Sequence, residues 1–161
     1  MPNLIYVNEA AAITWKSSGG TAAFTPTSLA SAAGRQGAYY DLTTAARALS
    51  YAWRGWIKPG GTRVVGEVVQ IYLATGDGTI YDNDDGTGDI AVSSVDKLRN
   101  IQQIGSIVID ENAAVPMSAS GFVDLPQRYV APFFWNATAN ALSSTAGDFG
   151  FSLTPVPLEI Q

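Results

Sequence analysis

Apolar and polar side chains alternate along most of this chain. Residues 49–58 (LSYAWRGWIK) place Leu49, Tyr51, Trp53 and Ile57 on one face and Arg54 and Lys58 on the other. A period of two is what a strand with one buried face requires, because successive side chains leave a pleated backbone on opposite sides. The pattern returns over 64–75, with Val69, Ile71 and Leu73 on one face and Gln70 and Tyr72 on the other. Shorter β-prone runs occupy 4–7, 12–16 (AITWK), 37–42 (GAYYDL), 105–110 (GSIVID), 115–123, 129–135 and 149–153. Turn-forming residues separate most of them: Ser17-Ser18-Gly19-Gly20 closes 12–16 and Pro59-Gly60-Gly61 closes 49–58.

Helical signals are sparse. Ser94 stands where it would cap a turn or two over Val95–Arg99, and 43–48 (TTAARA) has room for one more turn. Strands do not alternate with long helical stretches, which argues against a parallel sheet. Roughly nine or ten short strands separated by turns predict an all-β fold, an antiparallel β-sandwich with one or two short helical turns. A single domain over 1–161 is expected, with extended arms at 1–10 and 153–161. The small-residue stretch Ser17–Gly34 reads as a long surface loop or an edge segment lying flat on something. Pro155 and Pro157 are expected to block sheet extension and leave a tail, which either reaches a neighbouring subunit or rests on its own domain.

Composition narrows the chemistry. With 161 residues the chain is long enough to bury a sizeable core. It contains no Cys and no His, so disulfides, thiolate metal sites, imidazole ligands and Ser-His-Asp or Cys-His catalysis are excluded within the chain. No phosphate-cradling glycine loop and no nucleophile-elbow motif is present, so no enzyme, catalytic residue or cofactor is expected. The net charge is −5 and the nine Lys and Arg are scattered, which argues against nucleic acid as a partner. The longest apolar runs, such as Tyr129–Trp135, are too short to span a bilayer, and the N-terminus lacks the pattern of a secretory signal. Charged residues make up only 14%, against about 25% in an average soluble domain. Two explanations stand side by side: surface covered by other proteins, or a Ser/Thr/Gly-rich β protein that uses hydroxyls where others use charge.

Three features were candidates for chemistry. The acidic loop Asp82–Asp89 offers hard oxygen ligands and glycines as calcium loops do, but it fails the EF-hand spacing, and Asp, Asn and Gly are also ordinary turn residues; a solvated loop without metal is expected. Glu67, Asp110 and Glu111 are the carboxylates nearest to a glycosidase-like pair. Among the aromatics, Trp53 and Trp56 are an odd number apart and cannot share a face. Trp56, in register with Arg54 and Lys58, is expected outward or at an interface, and Trp53 and Trp135 in the core.

Several segments, in order, carry a resemblance. They are SSGGTAAFTPTSLASAAGR at 17–35, the strand ending in Asp41-Leu42, VVQIYLATGDGTIYDNDDGTGD at 68–89, Leu98-Arg99-Asn100 with Ile104-Gly105-Ser106, Pro126–Pro132, Trp135-Asn136 with Ala141–Ser144, and Thr154-Pro155-Val156. Together they resemble a family of small tailed-bacteriophage virion proteins. The resemblance implies a jelly-roll type of β-sandwich acting as a head decoration (cement) protein, located on the capsid surface and assembled in the host cytoplasm. Its implied partners are the major capsid protein and further copies of itself; a surface-glycan or receptor-binding role is the alternative. The family is held together by pattern and implies no functional residues.

Overall fold

The alternation along the chain becomes two sheets facing one another. The computed structural model describes residues 5–7, 10–44, 48–82, 86–111, 115–156 and 158–160. Expectations at Leu4, Ala45–Arg47, Asn83–Asp85 and Pro157 lie outside the described residues. The strands are β1 Ile5–Val7, β2 Ile13–Lys16, β3 Ala22–Ala23, β4 Ala33–Gln36, β5 Tyr40–Asp41, β6 Ser50–Ile57, β7 Val68–Gly76, β8 Ile90–Val92, β9 Gln102–Val108, β10 Met117–Asp124, β11 Tyr129–Asn136, β12 Gly150–Pro155 and β13 Leu158–Ile160. Three short 3-10 turns, at Leu42–Thr44, Val95–Asn100 and Ala146–Asp148, are the helical content of the described residues. The expected turn after Ser94 forms, and the Ser94 hydroxyl accepts from the Asp96 amide. The chain is an all-β sandwich, as its periodicity requires.

The first sheet runs β10-β6-β12-β2-β3 and the second β8-β4-β11-β7-β9, with β5 also on β11. Every pairing is antiparallel except β2 with β3. The pairs are nested: β1 with β13, β2 with β12, β4 with β11, β6 with β10, and β7 with β9. From β2·β12 inward these pairs alternate between the two sheets, so the chain is one long hairpin wrapped around a core. The neighbours β6·β12 and β7·β11 then knit successive turns of the wrap into continuous sheets. The two ends of the chain pair with one another through β1 and β13. Pro155 closes β12 without stopping the chain from staying in register: Val156 donates to the Ser50 carbonyl and Ala10 to the Pro155 carbonyl.

Between the sheets one apolar cluster joins Trp15, Tyr51, Trp53, Ile57, Phe151 and Leu153 of the first to Val69, Ile71, Leu73, Ile107, Val130 and Phe134 of the second. Aromatic rings carry the contact across. Phe24 meets Phe134 edge-on at 4.8 Å, Phe134 meets Phe151 at 6.4 Å, and Phe151 lies between Trp15 at 5.9 Å and Trp53 at 6.2 Å. Edge-to-face and offset pairs of this kind add to the stabilisation that burial alone provides. The Trp15 indole N–H is satisfied by the Ala38 carbonyl at 2.8 Å. Trp53 lies against two glycines, where an added Cβ would stand 2.7 Å from its ring at Gly105 and 3.0 Å at Gly121. Those glycines belong to β9 and β10, one from each sheet, and their bareness lets the indole fill that margin of the sandwich.

The outer face of the second sheet is buried as well. Tyr72, Ala74, Phe133 and Trp135 pack there under Val92, Ile101, Tyr39 and Leu98, so the chain from β8 through the 3-10 turn at Val95–Asn100 forms a lid. Trp135 is in the core, as expected, and the core it joins is the apolar cluster on the far side of its sheet, under the lid. The lid also explains why β11 is apolar at almost every position, since both its faces are covered. Leu49, expected on the core face, is 74% exposed, because β6 begins only at Ser50 and the backbone at Leu49 is turning to accept from Leu125. The stretch Ser17–Gly34 contributes β3, at the edge of the first sheet, and the start of β4, and sends Phe24 and Leu29 into the core, so of the two expectations the edge segment holds and the long surface loop does not.

Asn136, at the end of β11, pins the loops at that end. Its fully buried amide donates to the carbonyls of Leu29, Ala30 and Asn140 and accepts from the amide and hydroxyl of Thr138. The loop it holds contains Ser28 and Ala32 in left-handed backbone (φ 53° and 52°), a conformation that costs a non-glycine residue about 1–2 kcal/mol.

Two predictions follow from this packing. Phe134→Ala is expected to lose about 3–5 kcal/mol of unfolding free energy in a denaturant titration, whereas Phe122→Ala, at a ring 77% exposed, stays within about 0.5 kcal/mol of the parent. Asn136→Ala is expected to cost about 1–3 kcal/mol, since it takes away the donor to the Ala30 carbonyl and frees the strained loop, read as a lowered midpoint with an unchanged slope.

Candidate functional site

The two sheets differ in what covers their backs. The second is sealed by the lid, while the outer face of the first has no covering layer among the described residues. Strand parity decides which side chains it shows. With Ile13, Trp15, Tyr51, Trp53, Phe151 and Leu153 turned inward, the outward residues include Thr14 and Lys16 on β2, Arg54 and Trp56 on β6, Ser152 on β12, and Ser118, Ser120, Phe122 and Asp124 on β10, the last accepting from Ser50 at the start of β6. Cross-strand register brings them together: Ser152 stands opposite Thr14 on one side and Arg54 on the other, and Trp56 lies between Gly150 and Ser118.

Trp56 lies across its neighbour strand because that neighbour is glycine. A Cβ at Gly150 would come within 2.1 Å of Trp56 Cζ2, so only a bare backbone lets the indole settle there. Lys16 Nζ stands 5.7 Å from the centroid of the Trp56 ring, within reach of a cation–π attraction. Arg54 donates a long hydrogen bond, 3.4 Å, to Ser118 Oγ. Two shallow concavities flank the indole. One, of about 510 Å³, is lined by Thr14, Lys16, Arg54, Trp56, Ser118 and Ser152 with Ala12 and Pro116. The other, of about 300 Å³, is lined by Lys16, Ser17, Ser18, Trp56, Ala146, Gly147 and Phe149. Neither lining contains an acidic residue among the described residues.

Charge is distributed unevenly around this face. Four other cations are matched: Arg35 with Asp89 at 2.6 Å, Lys58 with Asp148 at 3.8 Å, Arg99 with Asp96 at 2.9 Å and Arg128 with Asp41 at 2.6 Å, while Arg63 donates to the Glu111 backbone carbonyl. Among the described residues, Lys16 and Arg54 have no carboxylate partner. Around Trp56 the face is therefore a locally cationic, hydroxyl-lined surface, on a chain of net charge −5.

The other candidates turn out to have structural employment. Asp82 accepts from the Thr75 amide and hydroxyl, and Asp89 accepts from Arg35 and Thr25, so both ends of the acidic loop are tied into the domain. No group of three or more acidic side chains suited to a metal ion occurs among the described residues, and Asn83–Asp85 lie outside them. Glu67 accepts from the Ala139 amide at 3.0 Å, and at Glu111 it is the backbone carbonyl, not the carboxylate, that accepts from Arg63. A concavity of about 510 Å³ between 58–62 and 140–144 is lined by small residues and carries one charge, Lys58, already paired with Asp148.

Sequence reasoning placed Trp56 and Arg54 outward and Trp53 inward, and the structure agrees. Lys58 follows the same parity but pairs with Asp148 away from the indole. Lys16, Gly150, Thr14, Ser118 and Ser152 were missed. Alternation within AITWK already put Thr14 and Lys16 opposite Ile13 and Trp15, but nothing local says that β2 lies one strand away from β6.

At the opposite corner, Arg128 clamps Asp41 and stacks over Tyr129 at 5.1 Å, fastening β5 to β11. The Arg128 guanidinium, aided by the hydroxyl and amide of Thr43, holds the Asp41 carboxyl well below its ordinary value of 3.8. A depressed folded-state pKa stabilises above the ordinary value and loses that contribution as pH falls through the folded one. Asp41→Asn is accordingly expected to unfold more easily than the parent at pH 7 and to converge with it as pH drops below 3.8, followed by thermal melts across an acid series. No protein-family model matches the chain and no curated protein matches its sequence, so what the open face binds is read from its own residues.

Proposed function

We propose that this chain is a structural virion protein of a tailed bacteriophage, a decoration or cement protein that binds capsid subunits and reinforces the head. The observation that carries the reading is the asymmetry of the sandwich: the outer face of the second sheet is covered by the lid at β11 and part of β7, while the outer face of the first has no covering layer among the described residues and is weakly charged. A cement protein has to cover the seams between capsid subunits, and broad faces depleted in charge suit that task. The nested pairing supports a jelly-roll type of wrap. Numbering β2, β4, β6, β7, β9, β10, β11 and β12 from 1 to 8, the sheets read 1-8-3-6 and 2-7-4-5, two interleaved Greek keys. Self-association around local symmetry axes belongs to the same reading, since repeated seams present repeated sites.

A second reading is a carbohydrate- or receptor-binding module on the phage head or tail. Trp56 favours it, because a ring laid along a sheet between hydroxyl-lined hollows is a surface on which a sugar ring can stack. Under the first reading, mass spectrometry of purified, salt-washed particles is expected to find the chain at hundreds of copies per particle. A few to a few dozen copies would move it to the tail, and absence from washed particles would end the virion reading.

A further inference from the structure

We infer that the open face around Trp56 is a binding site for an acidic saccharide, a glycan unit carrying a carboxylate such as a uronic or sialic acid. The inference rests on the second reading above and names its ligand class. Three features of the site match three parts of such a unit. The indole held over Gly150 supplies a flat apolar platform for the C–H face of a sugar ring. Thr14, Ser118 and Ser152 line the adjoining hollow with hydroxyls that both donate and accept, as sugar hydroxyls require. Lys16 and Arg54 lie on either side of β12 with no carboxylate partner among the described residues, and no acidic residue stands among the described lining of either hollow.

Charge complementarity selects the acidic ligand over a neutral one. On a chain of net charge −5, long-range repulsion disfavours any anion, so two neighbouring cations with no carboxylate partner among the described residues make this face locally welcoming to one. Lys16, resting over the indole at 5.7 Å, would swing from the ring to the ligand carboxylate and uncover the stacking surface. An acidic protein segment fits the hydroxyl lining less well, because extended peptides pair along sheet edges, where backbone groups are free, and this site lies on a sheet face.

The test uses the full-length chain on a glycan array holding uronate-, sialate- and neutral-saccharide probes, followed by calorimetric titration of the best acidic probe and its neutral counterpart. The acidic probe is expected to bind at least tenfold more tightly than the neutral one and to weaken at least fivefold when salt rises from 50 to 300 mM, on the order expected for one or two ion contacts. Lys16→Gln with Arg54→Gln should erase the acidic preference, and Gly150→Ala, which displaces the indole, should weaken both probes at least tenfold. Ile80→Ala, on a distant exposed loop, should leave both unchanged. Thermal melts of each variant report folding separately. Equal binding of acidic and neutral probes overturns the acidic assignment while leaving a glycan-binding module standing. Binding of poly-glutamate as tightly as the acidic glycan overturns it in favour of an acidic protein partner. Absence of any saccharide binding overturns both the inference and the reading beneath it.

Discussion

The contact of Phe134 with Phe24 and Phe151 is the constraint on which the other arrangements depend. Phe134 comes from the second sheet and Phe151 from the first, and the rings meet edge-on where the sheets are farthest from solvent. Holding the sheets face to face lets the nested pairs close on one another, from the hairpin of β7 with β9 out to the terminal ribbon of β1 with β13. Nested pairing makes most contacts long-range, a topology that folds slowly because the chain must close large loops before those contacts form. The sandwich margin at Trp53 belongs to the same constraint, because the indole closes it only against bare backbone at Gly105 and Gly121.

Once the sheets are fixed, solvent decides what becomes of their outer faces. The second sheet carries Tyr72, Phe133 and Trp135 outward, too much apolar surface to leave wet, and the chain from β8 to Ile101 folds back over it. The first sheet carries Thr14, Ser152, Ser118 and Arg54 outward, and such residues remain hydrated at little cost. The molecule thus has a sealed side and an open side for a reason visible in its side chains. Trp56 and Phe122 are the exceptions on the open side, and they differ: Phe122 stands out in solvent, while Trp56 is partly sheltered by Gly150 and Lys16.

The same division accounts for the charges. Arg35, Lys58 and Arg128 face carboxylates and serve as fasteners between segments distant in the chain, while Arg99 pairs within its own 3-10 turn with Asp96. Lys16 and Arg54 line the hollow beside Trp56, whose described lining holds hydroxyls and no acid. The low overall charge shows on the open face, where Thr14, Ser118, Ser120 and Ser152 occupy outward positions.

Strand existence, the two-residue period and the sidedness of β6 and β7 were legible in the sequence, because alternation is a local property of the backbone pleat. So were the exclusion of imidazole and thiolate chemistry, which needs only the absence of His and Cys, and the outward turn of Trp56 and Arg54. The order of strands, the lid over β11 and the site itself were decided by tertiary structure. Trp135 could not be assigned to the lid rather than the inter-sheet core, since both environments are apolar and only the path of residues 90–101 separates them. Lys16, Gly150 and Trp56 lie far apart in sequence and meet because β2, β12 and β6 are neighbours, a pairing set by how the long hairpin wraps and not by any residue's own preference.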